Sequence, residues 1–323
     1  MTRRLVAVFL LCLSAATASA DDAAYTLELI DARPESGFNY PYYLRVPARG
    51  PDGLPNVLVV ESNNSGVQDE LQQHIEATRA QVTGNGLGPL VAGSLDQPLL
   101  VPVFPRSREH WQVYTHALDR DTLLLQGEAA ERLDLQLLRM VAHARERLAA
   151  DGIAVQEKFV LVGFSASGTF ANRFAFLHPE RLLAVVSGAV NAFPMLPLDS
   201  MDDSALPFPL GTADIQTLTG RSFQRASWRG LPQLIFMGAE DDNDALQYDD
   251  AYSDAERETV FALLGEPMAE RWSAAQRVYL KAGPNVTFAT YGQVGHWTDR
   301  RINRDVVNFV RTEIERAAAK QGQ

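Results

Sequence analysis

Residues Phe159 to Phe176 read F-V-L-V-G-F-S-A-S-G-T-F-A-N-R-F-A-F. Phe159 to Val162 are strand-favouring apolar residues, and Phe170, Phe174 and Leu177 recur at helix-compatible spacing beyond Gly163-Phe164-Ser165-Ala166-Ser167-Gly168. The pattern is strand, sharp turn, helix. A serine on such a turn stands at a tight backbone bend, its hydroxyl clear of the sheet and the free N–H groups of the new helix beside it. Gly163, Ala166, Ser167 and Gly168 supply the small residues that a close strand–helix approach requires. The run departs from G-x-S-x-G at Ser167, which is small and adjoins Gly168. Taken alone, the stretch also fits a buried parallel strand and an ordinary turn in which Ser165 only caps the helix.

Length and composition bound the rest. A chain of 323 residues, 46% hydrophobic and 21% charged, is globular and long enough for one large α/β domain or two ordinary ones. The net charge is −11 and the basic residues are scattered, which argues against nucleic acid or anionic membranes as partners. At the N-terminus, Arg3 and Arg4 precede an apolar run from Leu5 to Leu13, and Ala18-Ser19-Ala20 offers the small residues of a signal-peptide cleavage site. The expectation is a signal peptide over 1–20, leaving 21–323 as an exported domain, periplasmic or secreted. Loss of Arg3 and Arg4 takes two positive charges from −11 and leaves −13. The run is too short to span a bilayer, and no later stretch is long and apolar enough to do so. Cys12, the single cysteine, leaves with that run, so neither disulfides nor thiol chemistry are expected. Bacterial lipid attachment at Cys12 is disfavoured, because Leu11 stands where a small residue is needed.

Along the remaining chain, alternation predicts strands over Tyr25 to Ile30 and Tyr40 to Val46, and Val57 to Val60 is a short apolar strand suited to a sheet centre. The polar loop Glu61-Ser62-Asn63-Asn64-Ser65-Gly66 follows, then a helix over Asp69 to Val82. Acyl transfer to a serine needs N–H donors for the oxygen that becomes negative, and a loop rich in Asn and Gly can present backbone or side-chain amides. Asn63 and Asn64 are therefore candidate oxyanion-hole residues, although the same composition suits a plain turn. Asn63-Asn64-Ser65 and Asn285-Val286-Thr287 are also glycosylation sequons. Gly84 to Gly93, with its glycines and Pro89, reads as a loop, and Leu99 to Phe104 as a strand broken by Pro102. Trp111 and Tyr114 are candidate groove residues. His116 and Asp119 form a possible acid–base pair, more simply structural because they lie upstream in a connecting segment. Glu131 to Ala150 is a strongly amphipathic helix.

His178-Pro179-Glu180-Arg181 closes the serine helix, because proline cannot continue it, which makes His178 a helix-end residue, and Leu182 to Val186 is a further strand. Residues 191–230 form a long proline-rich insertion, a candidate lid. Its Phe193, Met195, Leu196, Leu206, Phe208 and Leu210 suit an apolar cap over a site, Phe193 then touching substrate, or an anchor to the core. Leu234 to Met237 is a strand ending at Gly238-Ala239-Glu240-Asp241-Asp242-Asn243-Asp244. An acidic cluster past a strand end is where a carboxylate would accept a histidine ring N–H, with Asp241 first choice and Asp242 or Asp244 in reserve. Calcium binding by this run would need more spaced oxygen ligands than can be assigned. Glu256 to Leu280 is largely helical around Gly265 and Pro267, Val286 to Tyr291 is the last strand, and Gly295-His296-Trp297 follows it. Trp297 is a further candidate substrate contact. A closing helix runs from Asn303 to about Ala319.

The order Ser165, Asp241, His296, each just beyond a strand end, together with G-F-S-A-S-G, G-A-E-D and G-H, resembles the alpha/beta-hydrolase superfamily over nearly the whole of 21–323. Tyr42-Tyr43-Leu44-Arg45-Val46-Pro47 and Leu177-His178-Pro179-Glu180 are similar to exported esterases of the poly(3-hydroxybutyrate) depolymerase and feruloyl-esterase type. The resemblance implies a mostly parallel central sheet with helices on both faces. It also implies ester hydrolysis through a Ser165–His296–Asp241 triad, with the Ala166 amide in the oxyanion hole. The substrate would be a small or polymeric ester, with no metal and no cofactor. A serine peptidase on the same scaffold, or an inactive binding protein with this fold, fits the same residues.

Overall fold

The computed structural model describes residues 24–321, so the leader reading of 1–20 and Cys12 lie outside the described residues. The chain begins with β1 (Tyr25–Ile30), β2 (Tyr42–Pro47), β3 (Val59–Glu61), α1 (Leu71–Thr83), α2 (Leu87–Ser94) and β4 (Leu99–Pro102). It continues through α3 (Arg120–Leu124), α4 (Leu133–Ala150), β5 (Phe159–Phe164), α5 (Ala166–Leu177) and β6 (Leu182–Gly188). The insertion carries β7 (Ser200–Met201), β8 (Ser204–Ala205), α6 (Ile215–Thr219) and α7 (Arg225–Gly230). The last elements are β9 (Gln233–Gly238), α8 (Asp254–Leu264), α9 (Met268–Ala282), β10 (Val286–Tyr291) and α10 (Arg300–Gln321).

Eight strands form one sheet in the order β1-β2-β4-β3-β5-β6-β9-β10. The pairs β1–β2 and β2–β4 are antiparallel, and every other pair is parallel. Parallel strands need crossover connections, and here helices supply them, covering both faces. The alternation along β5 shows why. Phe159 and Leu161 point to the face covered by α4, α5 and α9, while Val160 and Val162 point to the face covered by α2 and α10. Against that second face α10 sets Ile302, Val306, Val310 and Ile314, a four-residue rhythm that keeps one helix stripe on the sheet. The chain runs from β3 outward to β4 and returns to β5 on the other side of β3. This reversal falls at the carboxyl ends of β3 and β5, the position at which open α/β sheets bind ligands.

Gly84 to Gly93 corrects its reading as a loop, because Leu87–Ser94 is the helix α2. Pro89 stands in its first turn, where proline is tolerated. Gly88 is small because a Cβ there would meet the Glu61 carboxylate at 2.6 Å. The Gly88 N–H donates to that carboxylate at 3.1 Å, so Glu61 satisfies a helix N–H that the helix cannot. Burial lifts the Glu61 carboxyl to about 7. The helical stretch read around Gly265 divides into α8 and α9 there, with Gly265 at φ 97°.

The apolar residues of the insertion anchor it to the body of the protein. Phe193, Leu196, Leu206 and Leu210 pack with Leu246, Tyr252, Val260 and Leu264 in a separate cluster, while Met195 and Phe208 join the main core. Arg271 on α9 stands at the centre of this attachment and is 0% exposed. Its guanidinium pairs with the Asp244 carboxylate and donates to the carbonyls of Ala192 and Glu266. Among the described residues no helix is long and apolar enough to cross a membrane.

Removing one partner of a buried ion pair strands the other charge. Arg271→Met is therefore expected to cost about 3–5 kcal/mol in urea unfolding, and Arg271→Met combined with Asp244→Leu to recover much of it. An equal loss in the single and double variants would overturn the pairing account.

Candidate active site

Ser165 joins β5 to α5 with φ 63° and ψ −128°, a conformation that costs a non-glycine residue about 1–3 kcal/mol. Three close approaches enforce the bend. A Cβ on Gly163 would stand 2.1 Å from the Ser167 carbonyl oxygen, and one on Gly168 would stand 2.2 Å from that of Gly188. The Ser165 N–H donates to Gly188 O at 3.0 Å, tying the bend to the end of β6. Ser167, the departure from the G-x-S-x-G pattern, braces the turn. Its hydroxyl accepts from the Phe164 N–H and donates to the Phe164 carbonyl, both at 2.9 Å. Among the described residues the Ser165 hydroxyl has no hydrogen-bond partner, and Ser165 is partly exposed. Ala166, the first residue of α5, has no intrahelical acceptor for its N–H, and the helix N-terminus favours negative charge beside it.

The ends of β9 and β10 bring two further predicted residues together. A Cβ on Gly238 would meet the carbonyls of Val294 and Gly295 at 2.2 and 2.5 Å, and Glu240 N–H donates to Val294 O at 2.9 Å. The two connecting loops thus cross backbone to backbone. In consequence His296 Nδ1 lies 3.0 and 3.1 Å from the carboxylate oxygens of Asp241, whose side chain is fully buried. The imidazole tilts against Phe164, the residue before Ser165, with ring centroids 5.0 Å apart. Of the three acidic candidates, Asp241 alone meets the ring. Asp242 is exposed, and Asp244 is committed to Arg271.

The loop 62–66 stands at the end of β3, the strand paired with β5, and is held by buried polar contacts. Asn63 is buried, and its carboxamide pairs with Phe104 in both directions: Oδ1 accepts from Phe104 N at 3.0 Å and Nδ2 donates to Phe104 O at 2.9 Å. Nδ2 also donates to Ser65 Oγ at 2.9 Å, which lies 2.6 Å from His74 Nδ1. Gln81 on α1 completes the clamp, accepting from Asn64 N–H at 2.9 Å and donating to Ser62 O at 3.2 Å. The expectation that Asn63 donates to an oxyanion through its side chain is therefore corrected, since the carboxamide faces β4 and is fully used there. The backbone N–H of Asn64 is likewise engaged. This burial also keeps the Asn63 sequon out of reach in the folded protein.

The other candidates divide. Trp111 and Trp297 are 42% and 54% exposed. Tyr114 lies beneath the Arg106 guanidinium, 3.5 Å from its ring centroid, and Arg106 reaches on to Asp250 at 2.7 Å. Phe193, 3% exposed and packed near Tyr252, belongs to the core rather than to a groove. His116 and Asp119 are buried and serve separate ends. Asp119 accepts from Thr122 N–H and Tyr114 N–H, its carboxyl raised by burial to about 6. His116 reaches Phe104 O at 2.9 Å, and burial pushes its imidazole down to about 3, so it stays neutral. His178 lies against Asp134 at 2.8 Å, joining the end of α5 to the start of α4. An acidic cavity of about 500 Å³ lined by Asp119, Asp121, Asp249, Asp250 and Glu256 contains none of Ser165, Asp241 and His296. Among the described residues no group of three or more His, Cys, Asp or Glu side chains is arranged to hold a metal ion.

One site residue has no precursor in the sequence reading. Asn243 places Nδ2 3.0 Å from His296 Nε2, while its backbone N–H donates to Asp241 Oδ1 at 3.1 Å. Its position two residues past Asp241 was the available signal. Chemically the arrangement offers an exposed hydroxyl on a strained bend, an imidazole oriented by a buried carboxylate, and free N–H groups at a helix start.

Among solved structures the chain is similar to poly(aspartic acid) hydrolase-1 from Sphingomonas sp. KT-1, with TM-score 0.52 and 14% identity over 90% of this chain and 97% of that one. It is also similar to LpqC, poly(3-hydroxybutyrate) depolymerase from Bordetella parapertussis, with TM-score 0.49 and 19% identity over 88% and 86%. A third is an S-formylglutathione hydrolase from Agrobacterium tumefaciens, with TM-score 0.48 and 15% identity over 91% and 96%. No protein-family model matches the chain, and no curated protein matches it in sequence. The chain has the alpha/beta-hydrolase fold, as its strand order and mostly parallel sheet indicate.

Glycine accepts positive φ freely and alanine does not. Ser165→Gly is expected to be more stable than Ser165→Ala by about 1 kcal/mol in urea unfolding. Equal midpoints would mean that the bend holds no strain.

Proposed function

We propose that the chain is an exported serine hydrolase that cleaves carboxylic esters, with Ser165 as nucleophile, His296 as base and acid, and Asp241 as the partner of the ring. The observation that carries this reading is the Asp241–His296 pair, leaning on Phe164 beside a serine held at φ 63°. Residues distant in sequence are gathered there at the ends of β5, β9 and β10, a convergence that a structural serine turn does not require. Export rests on the leader pattern of residues 1–20.

In the first half-reaction Ser165 Oγ bonds to the ester carbonyl carbon as its proton passes to His296 Nε2. The carbonyl oxygen becomes an oxyanion, for which Ala166 N–H is one donor and a backbone N–H of the 62–66 loop other than that of Asn64 is the second. Collapse breaks the bond to the alcohol oxygen, which leaves with the proton from Nε2. A water then attacks the acyl-enzyme by the same route, releasing the acid and restoring Ser165. Asp241 keeps the ring proton on Nδ1 and stabilises the imidazolium, and its complete burial strengthens that interaction. Trp111 and Trp297, both exposed, are the proposed aromatic contacts for an ester substrate.

Ser165→Ala and Asp241→Asn are each expected to lower hydrolysis of a short chromogenic ester by about a thousandfold or more while the fold persists. Asp242→Asn should stay near wild type. Full activity in Ser165→Ala would end the reading, and faster turnover of peptide amides than of esters would move the substrate class to peptides.

A further inference from the structure

The tautomer of His296 fixes what its second nitrogen can accept. Nδ1 faces the Asp241 carboxylate at 3.0 and 3.1 Å, and a carboxylate only accepts, so Nδ1 carries the proton of the neutral ring. Nε2 then bears a lone pair and needs a donor. The group 3.0 Å from it is the Asn243 carboxamide, which must present Nδ2, because Oδ1 would set two acceptors face to face. Ester hydrolysis requires this same lone pair to receive the Ser165 proton, yet among the described residues the Ser165 hydroxyl makes no hydrogen bond. Asn243 is well placed to hold the ring, since its own N–H is fastened to Asp241 Oδ1 at 3.1 Å. The imidazole side chain is 26% exposed, on the solvent side of its carboxylate.

We propose that Asn243 is a positioning residue that caps the resting imidazole of His296, so that Ser165 is activated only when an incoming substrate displaces the carboxamide from Nε2. This rests on the reading of His296 as the base. The cap keeps the lone pair satisfied while the site is empty and leaves the serine an ordinary alcohol. Substrate entry exchanges the Asn243 bond for the Ser165 bond at the same nitrogen, with no proton gained or lost in the exchange.

The test compares two near-isosteric variants by their rate of labelling with a small fluorophosphonate probe and by the nitrogen NMR signal of His296 Nε2. Asn243→Leu removes the donor, so labelling should rise about threefold to tenfold, the factor an ordinary hydrogen bond is worth. Its Nε2 signal should move toward that of an uncapped lone pair. Asn243→Asp puts an acceptor at the same place, favours a proton on Nε2 and should slow labelling. General damage to the site would slow both variants, so Asn243→Leu at or below the wild-type rate overturns the cap, as does an unmoved Nε2 signal. Wild-type protein that resists labelling altogether would sink the hydrolase reading, and the cap with it. Labelled wild-type protein with an unaccelerated Asn243→Leu removes the cap alone.

Discussion

The structure depends on a backbone contact between the serine turn and the end of β6. Gly163 and Gly168 let the strand, the new helix and the end of the neighbouring strand approach so closely that no side chain fits between them, Gly168 lying against the Gly188 carbonyl. Because the N–H of Ser165 is bonded to Gly188 O, the serine cannot relax into an ordinary helix-start conformation without parting β6 from α5. The bend is therefore held by the centre of the sheet, where packing leaves least freedom. Every residue of α5 is buried, so the helix behind the serine has no solvent face into which to shift.

Around that fixed point the other loops are braced by polar side chains rather than by regular structure. Gln81 and the Asn63 carboxamide hold the loop after β3, and Arg106 joins the 105–119 segment to Asp250. Arg271 ties the loop after β9 to the insertion and to the start of α9. Buried polar groups of this kind are costly unless paired, and each pairing therefore selects one loop conformation over its alternatives. The crossing of the loops after β9 and β10 has the same effect through glycine, since Gly238 admits the Val294 and Gly295 carbonyls.

Much of this was legible along the chain. The strands at Phe159, Leu182 and Leu234 announced themselves as short apolar runs, because a parallel strand buried on both faces has no polar side to alternate with, whereas Val286 to Tyr291 lies at the sheet edge and interleaves threonines with its apolar residues. Ser165, Asp241 and His296 stood out because each lies just beyond the end of a strand. The failures share a cause. Gly84 to Gly93 read as a loop because local composition counts glycines as breakers, whereas Gly88 is small to admit the Glu61 carboxylate from a distant strand. Phe193 read as a groove residue because its burial against Tyr252 is a long-range contact. Asn63 was singled out for a carboxamide that the fold uses elsewhere, since nothing local says that it pairs with Phe104 beyond the end of β4.

The sequence by itself determined the alternation of strands and helices, the turn that carries Ser165 and the order of the three polar residues, because those follow from side-chain period and from where small residues interrupt it. Only the tertiary structure decided which carboxylate meets His296, which amides stay free and what occupies Nε2. Those are questions of ångström-scale direction between residues far apart in the chain. Asp241, Asp242 and Asp244 are chemically alike, and they are told apart by what the fold sets against each: an imidazole, open water and a buried guanidinium.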